Sequence, residues 1–156
     1  MFKKITIILL LVVSFALVGC NNDSIVGTWS LTKYEASINN TTFDYTIEEI
    51  QNFVYDPNLP STSSDEEKVK NVIAQLNSYF KDLKMEFKEN REMYSYINNT
   101  TSEANEWRRN GTNIITKPKQ QTQYSTESVW DNSQEGVLFT TQTMNNIQIK
   151  IIFIKD

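Results

Sequence analysis

Apolar positions along the 156 residues follow three rhythms. Ile5 to Val18 is a nearly continuous apolar run, Val69 to Leu83 repeats at spacings of three and four, and most of the chain after Met85 alternates at two. The middle rhythm predicts an amphipathic helix. Val69, Val72, Ile73, Leu76, Phe80 and Leu83 form its stripe, while Lys68, Lys70, Gln75 and Lys81 face water. Ser64-Asp65-Glu66-Glu67 supplies the start, with Ser64 as N-cap, Glu67 completing a capping box and acidic groups at the positive end of the helix dipole. The helix is expected to run to about Leu83 and to lie as a lid on a sheet. Its polar face mixes signs, unlike the Lys/Arg-rich face of a helix lying on an anionic bilayer.

Alternation predicts strands on both sides of that helix. Ile25 to Leu31 reads as the first, with Trp29 and Leu31 on one face. Between Lys33 and Ser63 the signal weakens: Asn39-Asn40-Thr41-Thr42 reads as a turn, Pro57 and Pro60 interrupt regular structure, and residues 43–55 suit a weak strand or a short helix. After the helix, Met85 to Lys88 and Met93 to Ile97 form a hairpin in which Asn90 is the residue suited to positive φ. Glu106 to Arg109 and Thr112 to Thr116 form a second around Asn110-Gly111, ended by Pro118. Tyr124 to Trp130, Val137 to Thr143 and Ile147 to Lys155 complete the set. The last is apolar on both faces at Ile151-Ile152-Phe153-Ile154, so its second face needs a cover, and the helix is the natural one.

The first twenty residues carry an address. Lys3 and Lys4 precede the apolar run, which is shorter than the about 20 residues of a membrane-spanning helix and closes in Leu17-Val18-Gly19-Cys20. That ending resembles a bacterial lipobox. The resemblance implies that residues 1–19 are a lipoprotein signal peptide, that Cys20 is acylated and becomes the N-terminus, and that residues 20–24 tether a domain of residues 25–156 to a membrane of the bacterial cell envelope, facing the periplasm or exterior. Two or more acyl chains hold a protein stably where one does so only marginally.

Composition removes whole classes of chemistry. Histidine is absent and Cys20 is the only cysteine, so histidine and cysteine metal sites, thiol nucleophiles, Ser-His-Asp triads and disulfides have no residues to build them. The carboxylate groups Glu48-Glu49, Asp65-Glu66-Glu67 and Glu86-Glu89 fall where solvated charge is expected, and neither a catalytic residue nor a cofactor is assigned. Without Lys3 and Lys4 the 15 basic residues become 13 against 19 acidic ones, a net charge of −6 that attracts no nucleic acid. Arg108-Arg109 suits a solvated hairpin tip.

Seven or eight antiparallel strands have to hide their edges, and an up-and-down barrel does so by closing. Gly27-Thr28-Trp29 resembles the G-x-W motif of lipocalins, and the order of Gly-Thr-Trp, a helical insertion and then Met85-Glu86-Phe87-Lys88-Glu89-Asn90 is similar to lipocalin-like domains of bacterial lipoproteins. The resemblance implies a mainly β fold with one amphipathic helix packed on the barrel, Gly27 admitting the chain tightly at the base and Trp29 plugging the closed end. The family's last-strand arginine, which stacks on that indole, is represented only by Lys150 and Lys155, and its T-D-Y motif is absent, so an open β-sandwich crossed by the helix stays beside the barrel.

Two functions suit such a domain. One is binding of a small apolar or amphipathic ligand within the barrel, its candidate wall being Tyr94, Tyr96, Trp107, Tyr124, Trp130, Phe139 and Phe153. The other is a barrel filled by those rings that contacts an envelope protein or a polysaccharide through its loops, with Asn98 to Ser102 and Tyr55 as candidate contacts.

Overall fold

The computed structural model describes residues 24–98, 100–102, 104–119 and 127–156, so residues 1–19 expected as a signal peptide, Cys20 and Tyr124 lie outside the described residues. In chain order the elements are β1 (Gly27–Ile38), β2 (Thr41–Thr46), α1 (Ile47–Ile50), α2 (Asp65–Phe80), β3 (Lys84–Phe87), β4 (Glu92–Ile97), β5 (Thr100–Thr101), β6 (Asn105–Asn110), β7 (Asn113–Pro118), β8 (Ser128–Asp131), β9 (Val137–Met144) and β10 (Ile147–Lys155). Eight of these strands, β1, β3, β4 and β6 to β10, pair antiparallel around a ring that β10 closes against β1. The fold is therefore an up-and-down barrel and not an open sandwich. Every strand pairing falls between Gly27 and Lys155, so a chain beginning at Asn21 contains the whole barrel.

β1 runs seven residues beyond the expected Leu31 because of one irregularity. Leu31 pairs with Phe153 and Lys33 with Ile152, which leaves Thr32 bulged. The bulge moves the inward positions from the odd residues Trp29 and Leu31 to the even residues Tyr34 and Ala36, both fully buried. Period-two reading breaks at that step. On its other edge β1 pairs first with β3, over Gly27–Ser30, and then with β2, over Lys33–Ile38. Residues 43–55 thus contain both a strand and a one-turn helix, the latter started by a Thr46–Glu49 capping box.

The turns obey local chemistry more closely than the dipeptide signals suggested. Asn39-Asn40 and Asn145-Asn146 both take positive φ, between 50° and 64°, and make two-residue hairpins; Thr41 and Thr42 are already in β2. In the β3–β4 connection Arg91 takes positive φ (68°), not Asn90, whose Oδ1 instead accepts from the Glu92 N–H at 3.2 Å. Asn110 pairs with Asn113, so the second hairpin turns on Gly111 (φ 61°) and Thr112, one residue later than expected.

Helix α2 starts at Ser64 with the expected capping box, both halves being formed. It ends at Phe80, short of Leu83, since Asp82 adopts φ 59° and turns the chain into β3. Its stripe of Val69, Val72, Ile73 and Leu76 is buried in one core cluster with Tyr34, Ala36, Ile147 and Ile149. These are inward positions, so α2 covers part of the barrel mouth. It does not cover the outer face of β10 as expected: there Ile152 lies between its partners Lys33 and Phe139, and Ile154 remains 42% exposed. Burial of each stripe side chain stabilises the lid by about 1.5 to 3 kcal/mol.

The opposite end is blocked. Trp29 is fully buried and its Nε1–H donates to the Ile25 carbonyl at 2.8 Å. Lys155 of β10 lies over the indole, its Nζ 5.9 Å from the ring centroid, and donates to the Ser24 carbonyl at 2.9 Å. A lysine thus occupies the place for which the resemblance supplies an arginine. Gly27 has φ 130°, and a Cβ there would come within 2.8 Å of Lys155 Cε, so glycine meets both the backbone and the space requirement.

Two substitutions have opposite expected signs. Trp29→Ala should lower unfolding free energy by about 3 to 5 kcal/mol. Tyr34→Phe should raise it by about 1 kcal/mol, because the Tyr34 hydroxyl is buried with no partner among the described residues. Urea unfolding of both variants checks the pair.

Candidate functional site

Antiparallel registers assign every barrel residue to the inside or the outside, and the inside divides by depth. The β3–β4, β6–β7 and β8–β9 connections lie at the Trp29 end, where Phe87 and Trp107 meet edge to face with centroids 5.8 Å apart. Trp107 Nε1 donates to the Lys88 carbonyl at 3.1 Å and the Arg91 guanidinium stacks over its ring at 4.3 Å. Arg109, instead of waving at a hairpin tip, reaches Ser24 Oγ at 3.3 Å and Asn132 Oδ1 at 3.2 Å across this end. Arg108 points outward and holds Glu127 at 3.0 and 3.2 Å.

Toward the mouth the wall loosens. β4 pairs with β6 only at Glu92 and Met93 before β5 takes its edge, and the β8–β9 pairing is the single register pair Asp131 to Phe139. Between these seams lies an open cavity of about 620 Å³. Its apolar lining includes Phe80 at the end of α2, Leu83 just after it, Met85, Met93 and Ile97 of the β3–β4 hairpin, and Trp130 of β8. Ser95, Asn105, Thr116, Thr140 and Gln142 line it with neutral polar groups. Trp130 packs on the fully buried Phe153, with centroids 5.7 Å apart, and donates from Nε1 to Thr116 Oγ1 at 3.1 Å. That hydrogen bond gives the floor of the cavity a fixed ring.

Of the seven aromatic residues expected on a ligand wall, Trp130 alone among the described ones lines this cavity. Trp107 and Phe153 are inward but buried in the packed end. Tyr94, Tyr96 and Phe139 are not on the wall at all. Met93, Ser95 and Ile97 take the inward positions of β4, so Tyr94 and Tyr96 between them face out, where their hydroxyls donate to Glu92 and Glu86. Phe139 likewise faces out beside the inward Leu138 and carries Lys150 Nζ 4.1 Å above its ring. Met85, Met93 and Ile97 line the cavity instead, and alternation along β4 from Met93 puts Met93, Ser95 and Ile97 on one face.

The outer face has its own electrostatics. Lys119, Asn90 and Tyr94 all donate to the Glu92 carboxylate and hold its pKa down at about 2. Lys33 and Lys150 keep Glu35 below the usual carboxylate range, the Lys33 hydrogen bond contributing most. No group of three or more acidic, histidine or cysteine side chains is placed to hold a metal among the described residues, and no helix among them is long and apolar enough to cross a membrane.

No family model matches the chain, and neither a characterised protein nor a solved structure matches it.

The Glu92 cluster predicts a specific acid response. A carboxyl ionised down to about pH 2 in the folded state and to about 4.5 when unfolded contributes stability that is complete above the higher value and is lost as pH falls toward the lower one. Glu92→Gln should flatten the fall in unfolding free energy over that window, measured by denaturation at stepped pH.

Proposed function

We propose that this chain is a lipid-anchored, non-catalytic binding protein of the bacterial cell envelope with a lipocalin-like barrel that takes a small apolar or amphipathic ligand. The observation carrying this reading is the cavity of about 620 Å³, within the size range of small-molecule sites and lined by apolar groups together with hydrogen-bonding ones of which only Glu127 is ionisable. The G-x-W segment at the blocked end and the closed eight-stranded ring support the lipocalin-like assignment. The lipobox supports the anchor. In this reading the rings divide their labour: Trp107 and Phe153 fill the barrel, and Trp130 with the Met85 and Met93 side chains meets the ligand.

A second reading, contact with an envelope protein or polysaccharide through loops, is favoured by the connection after α1. Val54 there is 85% exposed and Tyr55 borders a shallow cleft of about 230 Å³ against α2 and the β9–β10 turn.

A chain beginning at Asn21, mixed with an apolar extract of a bacterial envelope and re-isolated, should retain one ligand mass by native mass spectrometry. Ser95→Trp, which fills the cavity, should abolish retention with the circular dichroism unchanged, and Tyr94→Ala, on the outer face, should leave it intact. No retained mass on a folded barrel would overturn the carrier reading. For the anchor, Cys20→Ala should move the full-length protein from the membrane to the soluble fraction of cells; continued sedimentation with membranes would sink the acylation proposal.

A further inference from the structure

We infer that the cavity selects an uncharged amphiphile bearing hydroxyl or amide groups and discriminates against long-chain carboxylates and phosphates, a proposal that rests on the reading of this cavity as a ligand site. The decisive observation is where the cations are. No lysine or arginine is among the residues lining the cavity, and its single ionisable lining side chain, Glu127, is acidic and engaged by Arg108 on the outer side. In sequence, residues 98–104, after β4, and 120–126, after β7, contain no basic residue. Of the nearby lysines, Lys119 is held by Glu92 and Lys117 by Glu106 at 3.5 Å, both on the outer face. Lys81 is exposed at the end of α2 and does not line the cavity.

The barrel does hold cations near its interior, but at the other end. Arg91, Arg109 and Lys155 all lie at the blocked base, beyond the layer formed by Trp29, Phe87, Trp107 and Phe153. A carboxylate entering the mouth would therefore lose water without gaining a counter-ion, and an ionised group so placed is strongly disfavoured. Neutral polar groups meet the opposite situation. The Thr116 hydroxyl accepts from Trp130 and has no other partner among the described residues, so its proton is available to an acceptor on a ligand. Asn105 and Gln142 add further donors and acceptors to the same lining, and the Thr140 hydroxyl, which donates to the Val129 carbonyl, adds an acceptor.

The test compares two lipids that share an acyl chain. A chain beginning at Asn21 is titrated at pH 8 with monooleoylglycerol and with oleate, each below the concentration at which it aggregates, and complexes are counted by native mass spectrometry. The glyceride should bind at least about tenfold more tightly, the ratio expected when one buried polar group is left unpaired. Gln142→Lys should raise the affinity for oleate relative to that for the glyceride by a similar factor. Oleate bound as tightly as the glyceride by the unaltered protein, or a long-chain ammonium bound more tightly than either, would overturn the selectivity while leaving the cavity a ligand site. Neither lipid bound by a folded barrel, together with no mass retained from the envelope extract, would overturn both.

Discussion

The ladder between β1 and β10 joins the two ends of the described chain and removes the edges that an eight-strand meander would otherwise expose. Eight register pairs, from Trp29 with Lys155 to Ser37 with Gln148, hold it along the full height of the barrel. The remaining features are placed by it. Trp29 is held at the base by the ladder's last pair, and the bulge at Thr32 keeps apolar side chains inward on both sides of the step. Above the bulge the same inward face of β1 carries Tyr34 and Ala36, against which α2 packs. Without closure, α2 would have half a floor and Trp29 no lid.

Depth within the barrel separates packing from binding. At the base four large rings pack together, with Arg91 over Trp107, Lys155 over Trp29 and Arg109 reaching Ser24. At the mouth, β1 exchanges β3 for β2 and β4 exchanges β6 for β5, so the wall splays where the longer connections begin. Helix α2 covers the β1 and β10 side of that opening and leaves the β4 to β9 side to the cavity. Stability and binding are thus assigned to opposite ends of one ring, and the Trp130 to Thr116 hydrogen bond lies where they meet.

Much of this was legible because it is local. The Ser64 capping box, the buried helix positions from Val69 to Leu76 and the extent of β10 follow from neighbouring residues, and the chain adopts them as read. The second half of β1 was not legible, because one bulged residue reverses the phase of alternation and only pairing with β10 reveals it. The site failed for a different reason. Aromatic residue type suggested a wall, whereas the face of each strand decides what lines it, and Met93, Ser95 and Ile97 occupy the inner face that Tyr94 and Tyr96 were expected to share. Cover for the outer side of β10 was expected from α2, whose stripe instead found a more extensive apolar surface inside the ring.

The chain enters the barrel at Ser24, beside Lys155 and Arg109, which is the blocked end. On the proposed anchoring through Cys20, four residues earlier in the chain, the leash would be no more than about 14 Å. The mouth stands about 20 Å farther along the barrel axis once strand tilt is counted. A protein so moored would keep its stern to the leaflet that anchors it. Cargo would then be exchanged on the aqueous side, with a facing membrane or a soluble donor, and would not be drawn sideways out of the home bilayer.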